Sequence, residues 1–143
     1  MTANDSEIHS INLRGAWKSW VSVVDDSCPG NQPRKVNLPL SLSELSSAVD
    51  DSNLCIRLER RFSTPAGLSE SQEVFLRVSS QCNHAELSLN GTVLANDCGN
   101  LEIPITHCLQ RSFQKNVLEF STTDCSYESR LNEVLLLIRS PQD

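Results

Sequence analysis

The chain has 143 residues and a mass of 15.9 kDa, enough for one domain and too little for two of ordinary size. Twelve Lys and Arg against 18 Asp and Glu leave a net charge of −6 and a pI near 5.0, the opposite of the positive footprint that nucleic-acid binding requires. No apolar run approaches the ~20 residues of a membrane-spanning helix; the longest aliphatic run, Val134 to Ile138, is strand-sized.

The first ten residues, Met1 to Ser10, hold neither the basic nor the apolar region of a secretory signal, which predicts a cytoplasmic chain. A secreted chain given a new methionine would read the same. Residues 1–7 are expected to be a flexible lead-in to a single domain spanning 1–143. Six cysteines (Cys28, Cys55, Cys82, Cys98, Cys108 and Cys125) are an even number, which suits disulfides. They form no CxxC pair and no zinc-spaced cluster, so the reading is of reduced thiols used as small hydrophobes.

The hydrophobic period is mostly two. Ile11, Leu13 and Trp17 open the domain, and Val21 to Val24 follow as a strand candidate. Cys28 to Pro33 reads as a surface loop, and Val36 to Leu40 as a further strand. Ser41-Leu42-Ser43-Glu44 has the form of a capping box before a short helix, with Leu42, Leu45 and Val49 on one face. Leu54, Ile56, Leu58 and Phe62 then share one strand face, interrupted by Arg60, while Cys55, Arg57, Glu59 and Arg61 share the other. Val74, Leu76 and Val78 repeat the alternation, as do Ala85, Leu87 and Leu89. Asn90-Gly91 marks a type I′ hairpin. Leu101, Ile103 and Ile105, then Val117 to Phe120, supply two more strands. The last, Val134 to Ile138, is apolar on both faces and must lie against something. Eight or nine strands and one short helix predict an all-β sandwich or barrel.

The sequence has no GxSxG elbow, no HExxH and no glycine-rich phosphate loop. His9, His84 and His107 read as surface or loop histidines, although His84 near Cys82 and His107 near Cys108 or Asp97 have the residue types of a Cys/His pair. A carbohydrate site needs an aromatic face and polar side chains for the hydroxyls. Among seven aromatics, Trp20 and Tyr127 lie on polar stretches and are the candidate carbohydrate-binding residues. Arg57, Arg60 and Arg61 beside Glu59 read as a solvated sheet face with weak ion pairs. The Asn90-Gly91-Thr92 sequon falls in a tight hairpin and reads as accidental.

An ordered set of short motifs runs through these elements: Gly15-Ala16-Trp17, Val36-Asn37-Leu38-Pro39, Arg60-Arg61-Phe62, Leu89-Asn90-Gly91, Ile105-Thr106 and Asn116-Val117-Leu118. The set resembles the amino-terminal sugar-binding domain of glycoside hydrolase family two, the β-galactosidases and β-glucuronidases, over residues 11 to 121. The resemblance implies a galactose-binding-like jelly-roll β-sandwich of two antiparallel sheets. Trp17, Asn90 and Thr106 would be scaffold residues in it: a core corner, a turn and a hydroxyl cap. Leu58 and Glu59 stand where the family usually has an aromatic pair, and the asparagine–histidine loop that reaches the enzymes' active site finds no match. The family's immunoglobulin-like and barrel domains find no counterpart before Asp143, so the expectation is a sandwich without catalysis. Several sandwiches of this superfamily hold a structural calcium, for which Asp25-Asp26 and Asp50-Asp51 offer oxygens, but those pairs read as solvated turns and no cofactor is expected.

Three functions follow as expectations. The first is a non-catalytic module that binds a glycan or another protein. The second is a structural or interaction domain, a homodimer included, with Val134–Ile138 or Val21–Val24 as its contact. The third is an accessory subunit that completes a glycoside hydrolase.

Overall fold

The alternation read from the sequence becomes two sheets packed face to face. The structure, a computed structural model, describes residues 8–23, 33–46, 54–65, 68, 70–82, 84–96, 99–110, 114–123 and 128–140. In chain order the strands are β1 (Ile8–Asn12), β2 (Trp17–Val23), β3 (Arg34–Val36), β4 (Leu40–Ser41), β5 (Leu54–Ser63), β6 (Glu73–Gln81), β7 (Ala85–Leu89), β8 (Thr92–Ala95), β9 (Asn100–Pro104), β10 (Lys115–Thr122) and β11 (Arg130–Arg139). A five-residue helix, α1 (Leu42–Ser46), follows β4, and a 3-10 turn (Thr106–Cys108) separates β9 from β10.

One sheet runs β1-β11-β6-β9, with β4 also paired to β11; the other runs β3-β2-β5-β10-β7-β8. Every pairing is antiparallel. With β2, β3 and β4 set aside as an excursion after the first strand, the remaining eight are numbered one to eight along the chain. Their orders are then 1-8-3-6 and 2-7-4-5, the double Greek key of a jelly roll. Antiparallel pairing, two sheets and one short helix are all as the sequence predicts.

The core lies between the sheets. Ile56, Leu58 and Phe62 of β5, Leu87 and Leu89 of β7, and Leu118 and Phe120 of β10 face Val74, Leu76 and Val78 of β6 and Val134, Leu136 and Ile138 of β11, all buried. Each such side chain contributes about 1.5–3 kcal/mol on burial. Trp17 is fully buried at the edge of this layer, and its indole N–H donates to the Leu13 carbonyl at 2.6 Å. Leu42 and Leu45 of α1 join the same core; Val49, expected beside them, lies outside the described residues. Ser41 Oγ lies 3.0 Å from Ser43 Oγ, and the Leu42 N–H donates to the Ser129 carbonyl at 3.0 Å.

Strands differ from the expectation in two places. Val36 to Leu40 is not one strand: β3 ends at Val36, and after a cis Leu38–Pro39 peptide the chain joins the other sheet as β4. Pro39 has no N–H to give a ladder, so pairing stops there. β8 is an edge strand with no burial alternation, hence no period for the sequence to display. Leu137 of β11 points away from the central core yet is buried, standing in register opposite Phe75 on one side and Ser10 on the other. The doubly apolar strand therefore lies against its own neighbours.

Candidate functional site

The two asparagines of the sequence motifs meet. Asn90 and Gly91 have φ of 53° and 84°, the left-handed pair of a type I′ turn. The Asn90 amide nitrogen donates to the Cys108 carbonyl at 2.7 Å and to Asn116 Oδ1 at 3.0 Å, while its oxygen accepts the Val117 N–H at 2.8 Å. Asn116 is fully buried. Its oxygen also accepts the Gln110 N–H at 2.7 Å, and its nitrogen donates to the Phe62 carbonyl at 3.2 Å and Thr64 Oγ1 at 2.9 Å. All four hydrogen-bonding positions of Asn116 are used inside the protein. These residues hold the hairpin, the end of β5 and the β9–β10 connection together. Thr106 departs from its expected role: its hydroxyl makes no cap to its own turn but accepts the Val74 N–H at 2.9 Å, extending the β6–β9 pairing.

Trp20 stands on the outer face of the six-stranded sheet, half-buried. The Arg57 guanidinium lies 4.4 Å from its ring centroid and occupies that face of the indole. Arg57 and Arg61 share this outer face, where Arg61 Nε donates to Glu59 Oε1 at 3.0 Å. Arg60 points the other way. It sits at the core's margin and donates from Nε to the Gly15 carbonyl at 2.6 Å and from Nη1 to the Arg61 carbonyl. Burial pulls its guanidinium below the usual arginine range. Tyr127, the second carbohydrate candidate, lies outside the described residues, as do Asp25, Asp26, Asp50 and Asp51, Asp97, Cys28, Cys98 and Cys125. Cys55 and Cys108 are free thiols, and Cys82 Sγ donates to Thr122 Oγ1 at 3.1 Å and accepts from Ser129 Oγ at 3.2 Å. Among the described residues no three His, Cys, Asp or Glu side chains are grouped to hold a metal ion. His84 and His107 are exposed.

A groove that the sequence reading did not anticipate crosses the outer face of the five-stranded sheet. It is built on a β-bulge. Leu131 pairs with Ser80 and Glu133 with the next residue, Ser79, so Asn132 is an extra residue in β11. Leu131 and Val134 both remain in the core, three positions apart. The bulge therefore turns two adjacent polar side chains, Asn132 and Glu133, to the same outer face. At this point β11 also changes partner, from β1 at Leu135 to β4 at Leu131, with a Leu13 N–H to Val134 carbonyl bond of 2.9 Å between them.

Two open clefts flank the bulge. The larger, about 370 Å³, is lined by Arg77, Ser79, Asn100, Glu102 and Glu133 together with Val78 and Leu101. The smaller, about 220 Å³, is lined by Asn12, Arg14, Leu38, Pro39, Asn132 and Glu133. Glu133 belongs to both. One wall is fixed by an ion-pair triad: Glu102 Oε1 accepts from Arg77 at 2.9 Å and Glu102 Oε2 from Arg139 at 2.9 Å. The Arg77 hydrogen bond, with help from Arg139, holds the Glu102 carboxyl below the usual carboxylate range. Arg139 is also stacked on Phe75, 4.5 Å from the ring centroid. Ser79 Oγ donates to Asn100 Oδ1 at 3.1 Å, which leaves the Asn100 amide hydrogens for a ligand. The groove thus offers carboxylate, amide and hydroxyl groups on rigid strands, with no aromatic side chain among its described lining residues.

No protein-family model matches the chain, and no curated protein does. Solved structures do match in fold. A β-glucuronidase of Faecalibacterium prausnitzii superposes with a TM-score of 0.71 at 14% identity, covering 99% of this chain and 33% of that one. The β-glucuronidase of Bifidobacterium dentium, solved with coumarin-3-O-glucuronide, gives a TM-score of 0.69 at 17% identity over 99% of this chain and 31% of its own. A glycosyl hydrolase family 2 member from Bacteroides cellulosilyticus gives 0.67 at 16% identity, covering 90% and 20%. The fold is that of the family-two sandwich domain. This chain spans a third or less of each of those enzymes. No described helix is long and apolar enough to cross a membrane.

Proposed function

We propose that this chain is a non-catalytic carbohydrate-binding module whose site is the groove around the β11 bulge. The observation that carries the reading is the pair of outward-facing side chains, Asn132 and Glu133, that the bulge creates between two open clefts. Sugar hydroxyls are both donors and acceptors, and a carboxylate beside amides meets both needs. The shared fold with β-glucuronidases supports the ligand class by analogy alone. Trp20 and Tyr127 remain the competing location.

A glycan-array screen followed by titration calorimetry tests this. Saturable binding is expected, weakened about tenfold by Asn100→Ala or Glu133→Gln, the loss of roughly one hydrogen bond. Loss of binding in Trp20→Ala or Tyr127→Ala instead moves the site to those residues. Silence across the array overturns the reading. Nitrophenyl glycosides should not be turned over by the purified chain, and activity that survives stringent purification overturns the non-catalytic part.

A second reading, self-association, is favoured by the edge strands: Ile11 on β1 is 40% exposed and Val93 on β8 is 50% exposed. A mass that rises with concentration in sedimentation would support it.

A further inference from the structure

Resting on the carbohydrate reading of the groove, we infer that its ligand is a neutral chain of at least two linked sugar rings, not a single sugar and not an acidic one. Length is argued from the clefts. Small-molecule sites generally occupy about 300–1,000 Å³. The larger cleft, about 370 Å³, is near the bottom of that range and the smaller, about 220 Å³, is below it. Neither encloses a ligand alone, yet both open on the same Glu133. The lining runs from Asn100 on β9, across Ser79 on β6 and Glu133 on β11, to Asn12 on β1. Four adjacent strands at a spacing of about 4.8 Å make this path roughly 14 Å long. A single pyranose ring fills one end; a linked chain laid across the strands meets Asn100, Glu133, Asn132 and Asn12 in turn.

Charge argues for neutrality. Arg77, which lines the larger cleft, and Arg139 are both paired with Glu102. The Glu133 carboxylate, at the centre, makes no ion pair or hydrogen bond among the described residues. An acidic sugar would set its carboxylate beside this one, a repulsion of about 1 kcal/mol at 4 Å even in water. Arg14, at the far end, already gives its Nε to the Leu38 carbonyl at 3.2 Å.

The test is calorimetry with β-1,4-linked oligomers of glucose, xylose and mannose from one to six units, with glucuronic acid alongside. The affinity for one series should rise at least tenfold from monomer to trimer and then level off. Asn132→Ala and Asn12→Ala should weaken the trimer at least fivefold more than the monomer, whereas Asn100→Ala should weaken both. A monomer that binds as tightly as the hexamer, or glucuronic acid preferred over glucose, overturns the inference while leaving a carbohydrate-binding groove standing. No binding at any length, on a chain whose cooperative melt shows it folded, removes the carbohydrate reading together with it.

Discussion

Asn116 concentrates more of the fold's specificity than any apolar side chain around it. It is fully buried, and its four hydrogen bonds join the β7–β8 hairpin, the end of β5 and the segment before β10. Asn116→Ala removes the partners of the Gln110 N–H and the Asn90 amide at once, and leaving buried groups unpaired costs about 1–3 kcal/mol each. A loss of about 2–6 kcal/mol is expected, read as a lower urea midpoint with an unchanged slope. A midpoint within error of the parent would show that water replaces the side chain. The turn itself was legible in the sequence, since Asn-Gly is the pair that tolerates positive φ at two consecutive positions. The partnership with Asn116 was not. It joins residues 26 apart through a connection whose path no local pattern encodes. Asn90 is also unavailable as a glycosylation acceptor in the folded chain, because both its donor and its acceptor are engaged.

At the scale of the element, β11 shows what period-two reading captures and what it passes over. Its doubly apolar stretch announces a strand covered on both faces, and Leu137 is indeed buried outside the central core. The bulge between Leu131 and Val134 was not read from the sequence, because Leu131, Leu135 and Leu137 also fit an unbroken period-two face. What it positions depends on neighbours that the sequence does not order: β6 and β9 on one side, β1 and β4 on the other. The placement of Arg57 over the Trp20 ring was hidden for a related reason, since only the β2–β5 register sets it there. The same outer face makes a pH prediction. Glu102 of β9 clamps Arg77 of β6 and Arg139 of β11, so three strands share one carboxylate. Its folded-state pKa is lowered, so on acidification the unfolded chain takes up the proton first. The clamp's stabilisation is present above the usual carboxylate range and is lost as pH falls through the folded value. Glu102→Gln should therefore lower the melting temperature slightly at neutral pH and converge with the parent in acid. The effect is small because the pair is partly solvated. Parallel curves for the two proteins at every pH would show that the clamp is idle.

For the whole molecule, the jelly-roll order ties distant parts of the chain into one cooperative unit. β11, near the carboxyl end, sits between β1 from the other end and β6 from the middle, and β10 lies between β5 and β7. The sheets share a single layer of side chains, so neither has a core of its own. Leu87 belongs to that layer from β7 and Leu136 from β11, each 1% exposed and on opposite sheets. Leu87→Asp puts a carboxylate where nothing can pair with it, and the cost of that burial exceeds what a domain of this size can bear. The variant should lack a cooperative melt altogether. Leu136→Ala is milder, about 2–5 kcal/mol for a cavity in a close-packed layer. It should lower the melting temperature while near- and far-ultraviolet circular dichroism still fall together. Two separated transitions in Leu136→Ala would mean that the sheets melt independently. A near-normal melt in Leu87→Asp would mean that β7 faces the other way, and the groove argument would fall with it, because the outer faces are defined by the same alternation.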